Sequence, residues 1–337
     1  MATIYDVAKL SKTSAATVSY VLNGRGDEKR ISKATQERVL AAAERVSYRP
    51  NTTARQLKVS GGRSVRIIVF WPDFYFEQSL VSVMRAINNV SQMSVELPEV
   101  SIQFFTPGSL RDIWEKFSPQ GYNGILLAGA SMEDLEYIAK NKHYTPIVLV
   151  NRTCEGFPSV SVDHIKAGRL ACDLAYAHGG SSICTIWDSQ FHVATGLRQK
   201  AFSERCGELG LDLGDSQYTC QGSPEGGYEL GINLKQKNLL RRVVYCNNES
   251  VARGIATALS ESGVKIGQDT QLFTANNGPR SFCRYSTPPL TEINLQMRKV
   301  FENALKLCLN IISRNEGGNT VLTLQPVCQF RESMPET

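Results

Sequence analysis

Ile4-Tyr5-Asp6-Val7-Ala8-Lys9-Leu10-Ser11-Lys12-Thr13-Ser14-Ala15-Ala16-Thr17-Val18-Ser19-Tyr20-Val21-Leu22-Asn23 is the stretch that decides how this chain is read. Ile4, Val7, Ala8 and Ser11 recur at helical spacing, Thr3 stands where a helix cap belongs, and Asp6 follows three residues on. Lys12-Thr13-Ser14 interrupts the pattern. Ser14 then suits the N-cap of a second helix, Ala15–Leu22, whose apolar side is Val18, Val21 and Leu22. After the loop Asn23-Gly24-Arg25-Gly26-Asp27, Ser32 caps a third helix expected over Lys33–Val46, with Val39, Ala42, Ala43 and Val46 inward. Pro50 stops it. Three short helices with a tight turn between the first two describe a helix-turn-helix.

The charge distribution agrees. Residues 1–60 carry eleven lysines and arginines against five acidic residues, a net +6, while the remaining 26 basic and 27 acidic residues give −1. The whole chain is +5, so its excess positive charge lies in the first sixth, as expected of a phosphate-binding module. A length of 337 residues exceeds one ordinary core, and 42% hydrophobic with 20% charged content is that of a globular protein. No run of 18 apolar residues suggests a transmembrane helix, and no basic-then-apolar start suggests a secretory signal. The nine cysteines run from Cys154 to Cys328 without a CxxC pair, which points to reduced thiols in a cytoplasm.

Ile4-Tyr5-Asp6-Val7-Ala8, Thr17-Val18-Ser19-Tyr20-Val21-Leu22-Asn23 and Tyr48-Arg49-Pro50-Asn51, in this order and spacing, resemble the headpiece of the lactose-repressor (LacI/GalR) family of transcription regulators. The resemblance implies that Ala15–Leu22 is a recognition helix in the major groove. Ser14, Thr17, Ser19 and Asn23 then match positions that touch the DNA backbone or fix the helix on it. Ala15, Ala16 and Tyr20 match positions that read bases, and Thr3, Tyr5 and Arg30 complete the headpiece set. Alanine can only pack on a thymine methyl or leave room, and Tyr20 stands where many members carry arginine, so no half-site can be read. The resemblance extends to a hinge over 51–62. There Asn51, Ala54 and Leu57 enter the minor groove with a second subunit, Leu57 as an apolar wedge. An octapeptide helix of this kind is marginal alone.

From Val65 onward short apolar strands alternate with helical periods: strands are expected at Val65–Phe70, Val100–Phe105, Gly124–Leu127, Ile147–Val150, Ser181–Trp187, Arg242–Cys246 and Gln271–Ala275. Helical segments such as Leu80–Asn89, Met132–Lys140, Ile165–Ala177, Ala194–Leu209 and Ser250–Ser262 separate them. Such alternation means parallel sheets covered by helices, with a ligand cleft at the strands' carboxyl ends. Gly124-Ile125-Leu126-Leu127, Asn248 through Gly254, Pro288 through Ile293 and the ending Pro326…Arg331-Glu332-Ser333 continue the resemblance, while Asn88–Gly108 fits it least.

The expected architecture is therefore an all-α helix-turn-helix headpiece (1–50), the hinge (51–62), and an α/β periplasmic-binding-protein-like domain (63–337) of two doubly wound parallel-sheet subdomains. The first subdomain is expected over 63–161 and 292–320, the second over 162–291 and 321–337. Residue by residue, the resemblance gives Arg198 a ligand-forking role, suited to paired hydroxyls or a carboxylate, and makes Asn248 ligand-binding. Asn151 and Asn276 stand where sugar-responsive members carry aspartate, Arg152 adjoins Asn151, and Gly222 falls where a stacking aromatic is common. Trp71, Phe74 and Tyr75, in an aromatic run after the first strand, are the expected replacement surface, with core packing as their other reading.

Catalysis is not expected. No glycine follows the first strand as a dinucleotide-binding GxGxxG would require, no P-loop, HExxH or GxSxG occurs, and His143, His164, His178 and His192 lack metal spacing. A secreted sugar-binding protein would lack the DNA-binding head. The sequence thus describes a cytoplasmic, homodimeric DNA-binding repressor, needing no cofactor or metal, whose effector is a sugar, sugar acid or sugar phosphate. An effector-independent or protein-controlled regulator with a vestigial cleft is the alternative. No leucine heptads follow Arg331, so a dimer rather than a coiled-coil tetramer is expected. Footprinting should show paired half-sites on a pseudo-palindrome, with affinity falling steeply as salt rises because the +6 headpiece is doubled. Unpaired half-sites or salt-insensitive binding would contradict this.

Overall fold

The computed structural model describes residues 4–22, 26–46, 65–73, 77–93, 98–116, 121–141, 145–189, 193–314 and 318–336. The expected hinge with Asn51, Ala54 and Leu57 lies outside these residues, as do Thr3, Asn23, Phe74 and Tyr75.

The headpiece is three helices, α1 (Ile4–Ser11), α2 (Ala15–Leu22) and α3 (Lys33–Arg45). Lys12 turns the chain with a positive φ of 53°, and the Thr13 amide closes the turn on the Ala8 carbonyl at 3.0 Å. The Ser11 hydroxyl donates back to Val7 O (2.7 Å), so a buried polar group at the corner is satisfied within its own helix. Val7, Ala8, Val18, Val21, Leu22, Val39, Ala42 and Ala43 form the core that the spacing predicts. Val46 caps α3 through its amide rather than continuing it.

The larger part begins with β1 (Arg66–Pro72), α4 (Glu77–Met93), β2 (Glu99–Phe105), α5 (Leu110–Lys116), β3 (Gly124–Ala128), α6 (Met132–Lys140), β4 (Ile147–Val150) and β5 (Ser159–Val162). It continues with α7 (His164–Gly179), β6 (Ile183–Asp188), α8 (Val193–Glu208), β7 (Gln217–Cys220), α9 (Pro224–Gln236), β8 (Val243–Cys246), α10 (Glu249–Glu261), β9 (Gln271–Asn276), α11 (Arg280–Arg284) and β10 (Thr291–Asn294). α12 (Met297–Arg314), β11 (Val321–Leu324) and β12 (Val327–Gln329) complete the order. Among these residues no helix is long and apolar enough to cross a membrane.

Two six-stranded sheets result, ordered β11-β5-β4-β3-β1-β2 and β12-β10-β9-β8-β6-β7. All pairings are parallel except β12 against β10. The inner strands of each sheet are buried on both faces, which is why they read as apolar runs rather than alternating patterns. In β1, Ile67, Val69 and Trp71 pack with α4 and α12, whereas Ile68 and Phe70 pack on the other face with Leu110, Trp114, Leu135 and Ile138. In the second sheet one face carries α7 and α8 and the other α9 and α10.

The chain passes between the sheets three times, and two of the expected boundaries shift. β10 lies wholly in the second sheet, so the return to the first unit comes after Asn294 rather than at 292. β11 pairs with β5 in the first sheet, so residues 321–324 belong with that unit and the last passage follows Leu324. Edge position explains the error: β11 is a solvent-facing edge that pairs only with β5, so nothing in its local sequence announces which sheet it joins. α12, which the periodicity does not single out, supplies Val300, Phe301, Ala304, Leu305 and Cys308 to the first core.

Helices α7 and α8 approach so closely that a Cβ on Gly168 would stand 2.2 Å from the Arg198 carbonyl oxygen. Glycine is required there by space, and the contact sets the height of Arg198. Gly168→Ala should destabilise the domain by roughly 1–3 kcal/mol, the usual cost of overpacking. Urea titration measures this; an unchanged midpoint would show that the helices have slack.

Candidate functional site

In the headpiece, one side of α2 is buried and the other is presented to solvent. Ser14 caps the helix, its Oγ accepting from the Thr17 amide at 3.1 Å and lying 2.9 Å from Thr17 Oγ1. Ala16 and Tyr20 are exposed one turn apart, Thr17 and Ser19 are half-buried, and Ala15 packs partly against the headpiece core. Tyr5 on α1 is 73% exposed, too open for a core role. The loop before α3 is braced by Asp27, which accepts from Lys33 Nζ and Gln36 Nε2, each at 2.8 Å. That brace holds Lys29 and Arg30 outward. Lys29 Nζ lies 5.6 Å from the centre of the Tyr20 ring, and Arg30 has a positive φ of 52°. The Tyr20 ring is thus already engaged by a cation. The surface offers small side chains, hydroxyls and basic groups, a combination that fits a phosphate backbone and an apolar base edge.

The second site is assembled at the strand ends. Arg198 is only 2% exposed, although it is always charged, so its N–H groups must find acceptors. Its Nε donates to Asn247 Oδ1 (2.8 Å), Nη1 to His164 Nδ1 (3.1 Å) and Nη2 to Thr195 Oγ1 (3.3 Å). Because a guanidinium can only donate, His164 Nδ1 must accept, and the ring proton is on Nε2. That proton is given to Asn151 Oδ1 at 2.8 Å. Asn151, at the end of β4, is held in the left-handed region (φ 57°) with its amide on Val160 O. A continuous chain Asn151–His164–Arg198–Asn247 therefore links the first sheet to the second. Burial, with Arg198 and Arg152 nearby, holds the His164 imidazole well below its ordinary 6.5, so it is neutral.

A second corner lies beside this chain. Asp188 ends β6, Asn248 follows β8, and Asn248 Nδ2 is 3.4 Å from Asp188 Oδ2 and 3.5 Å from Gly222 O. A Cβ on Gly222 would be 1.9 Å from Asp188 Oδ2. The missing aromatic at 222 is thus explained: the carboxylate of Asp188 fills that room. Asn248 also caps α10 through its Oδ1, which accepts from the Ser250 amide at 2.8 Å.

Other expected site residues are turned elsewhere. Trp71 is 1% exposed and packs edge-on to Phe301 at 5.9 Å in the first core, so it is no stacking surface. Arg152 is buried on backbone oxygens, Nε to Ala130 O (2.8 Å) and Nη1 to Asn151 O (2.7 Å); it stiffens the turn that aims Asn151. Asn276 donates to Glu292 and accepts from the Gly278 amide at 2.7 Å, while Glu292 also meets Arg331 at 2.8 Å. Glu249 is buried behind it, and burial pushes its carboxyl up from the ordinary value.

Sequence reasoning missed His164, Thr195, Asn247 and Asp188. His164 was set aside for lacking metal spacing, but it is the first residue of α7 after the chain leaves the first sheet, a placement that brings any side chain to the seam. Asn247 is one residue from the expected Asn248, and its Nδ2 is buried with no acceptor among the described residues. An orphaned buried donor costs about 1–3 kcal/mol unless something supplies an oxygen.

A profile described as "Bacterial regulatory proteins, lacI family" matches residues 3–51, and one described as "Periplasmic binding protein-like domain" matches 173–334. The chain is 26% identical to the HTH-type transcriptional repressor PurR of Pasteurella multocida (strain Pm70), with 99% of each chain covered. It is 25% identical to the HTH-type transcriptional regulator GalS of Salmonella typhimurium, covering 92% of this chain and 89% of that one. Its fold resembles the lac repressor dimer bound to operator and the anti-inducer ONPF (TM-score 0.69, 20% identity, 99% of each chain). It also resembles a complex of the transcriptional regulator CelR with cellobiose (TM-score 0.67, 18% identity, 99% of this chain and 100% of that one).

The buried imidazole makes stability depend on pH. His164 binds its proton more weakly when folded, so below its ordinary 6.5 the unfolded chain takes up more protons and stability falls as pH drops. His164→Gln removes that uptake. Its stability should decline less than that of the native chain between about pH 7 and 5. Parallel pH profiles from denaturant titrations would contradict the assignment.

Proposed function

Because the chain belongs to the lacI family of bacterial regulatory proteins, we propose that it is a sequence-specific DNA-binding transcriptional repressor of a metabolic operon, controlled by a small-molecule effector. It acts in the cytoplasm as a two-fold dimer on a pseudo-palindromic operator, because two symmetric recognition helices need two half-sites. The observation that carries the effector assignment is the pairing of buried Arg198 with the unaccepted Asn247 Nδ2. That nitrogen asks for an oxygen-bearing group beside the guanidinium.

The effector class follows from both corners. At one, Arg198, Asn247 and Thr195 receive acceptor oxygens: a carboxylate, a phosphate or paired hydroxyls. At the other, Asp188 and Asn248 receive hydroxyl donors. A cleft poor in carboxylates, inferred from Asn151 and Asn276 alone, is not what supports an acidic ligand, since Asp188 is present. What supports it is the distribution of charge. We therefore assign a polyhydroxylated effector with an acidic end on Arg198, a sugar acid or sugar phosphate. The polyhydroxylated cellobiose in the CelR structure supports the sugar part of this reading.

Binding has a mechanical consequence. An oxygen that takes the Nη1 N–H now given to His164 Nδ1 breaks that bond, and the link from His164 to Asn151 loosens with it. Since Asn151 belongs to the first sheet and Arg198 to the second, the effector biases how the two units sit, which is the differential contact a switch requires.

Calorimetry with glucose, gluconate and glucose 6-phosphate tests the class. The anionic members should bind at least about tenfold more tightly, a difference of ~1.4 kcal/mol, and lose that advantage in Arg198→Lys, which cannot fork. Tighter binding of the neutral sugar, indifferent to Arg198→Lys, would sink the acidic reading.

A further inference from the structure

Two of the nine cysteines meet inside the second unit. Cys172 on α7 and Cys206 on α8 have their Sγ atoms 3.3 Å apart. Both belong to the core between these helices, with Phe202, Ala167 and Ala171. Cys172 has no exposed surface, whereas Cys206 keeps 5%. Around them the two helices are clamped by Arg169–Glu208 (2.6 Å) and Arg205–Asp173 (2.7 Å), and Gly168 leaves no gap to Arg198.

We infer that Cys172 and Cys206 are a redox-reactive pair that a peroxide converts to a disulfide, cross-linking α7 to α8. A disulfide bond is about 2.05 Å long, so the sulfurs must close by roughly 1.2 Å, within reach of side-chain rotation when the helices are already in contact. The geometry assigns the roles. Cys206, with its sliver of surface, is the thiol that peroxide reaches. Either sulfur of this contact can donate; with the S–H of the fully buried Cys172 turned toward Cys206, the Cys206 thiol lies below its ordinary value and the nucleophilic thiolate is favoured. Cys206 thiolate attacks the peroxide oxygen, taking one oxygen as a sulfenic acid and releasing an alcohol or water after protonation. Cys172 then attacks that sulfur, the S–S bond forms, and water leaves. In sum, two thiols and one peroxide give a disulfide, an alcohol or water, and a second water.

The bond would tie together the helices that carry His164 and Arg198, and so restrain the contact the effector must break. The inference does not depend on which effector binds. It differs from the reading of all nine cysteines as inert reduced thiols.

Peptide mapping of the full-length protein after hydrogen peroxide tests it. In untreated, denatured protein N-ethylmaleimide should label all nine thiols. After peroxide it should label two fewer, and trypsin should release the peptide beginning at Leu170 linked to the one beginning at Cys206. Dithiothreitol should restore full labelling, and the oxidised protein should melt higher than the reduced one. In Cys172→Ser, dimedone should trap Cys206 as the sulfenic acid adduct; in Cys206→Ser, position 172 should stay reduced. Full labelling after peroxide, or a disulfide joining other cysteines, overturns the proposal, and the native-chain map decides even if a variant fails to fold.

Discussion

A buried guanidinium has five N–H donors and nothing to accept with, and Arg198 is such a group. Its surroundings are dictated by that arithmetic. Asn247 must turn its oxygen inward, which turns its amide nitrogen away from any protein acceptor. His164 must present a bare Nδ1, which fixes its tautomer and obliges Nε2 to find an oxygen on the first sheet. Burial, reinforced by the charges of Arg198 and Arg152, keeps the imidazole neutral. Removing any one partner leaves a buried polar group unsatisfied, so the chain of contacts behaves as a unit.

The fold exists to hold this unit at a seam. Each sheet has the same doubly wound order, and each has its switch point beside its first strand, where crevices form at strand carboxyl ends. β6 and β8 flank the switch point of the second sheet, and Asp188, Asn247 and Asn248 lie at their ends. The passage from β5 into α7 delivers His164 from one unit to the other. Gly168 and Gly222 are two places beside this seam where absence of a side chain matters: one lets α8 come near enough to lower Arg198, the other yields space to Asp188. The Cys172–Cys206 contact belongs to the same helix pair, so its oxidation would act on the seam from behind.

Much of this was legible in the sequence, and the reasons for the remainder are physical. The caps at Ser14 and Ser32, the turn at Lys12 and the period-3.6 faces of the headpiece are local, and the structure reproduces them to within a residue. β4 and α6 match their expected spans because their ends carry clear signals, such as the capping box of Ser131 and Asp134. Edge strands β7 and β12 gave no such signal, since they are short and carry no apolar run, and β11, although apolar in sequence, is an exposed edge whose partner strand is far away in the chain. Arg198 was identified through resemblance, yet the chain of contacts it anchors runs through positions 151, 164 and 247, which no local pattern joins. Trp71 was misread for a related reason: an aromatic at a strand end faces a cleft or a core according to the pleat, and the pleat puts it in the core. Asn276 looked like a lost carboxylate until Glu292 was found bonded to it.

The account stands on the direction of one proton. Long-range ¹⁵N–¹H correlation spectra of the imidazole, with His164→Gln to assign the signals, read it directly in the effector-free protein near neutral pH. The account predicts a neutral ring protonated on Nε2, with Nδ1 bare toward Arg198, and an imidazolium that forms only below the ordinary histidine range, because burial and the neighbouring guanidinium groups disfavour it. A proton on Nδ1, or an imidazolium at neutral pH, would contradict it, since Arg198 could then make no bond to His164 and the link between the two sheets would not exist.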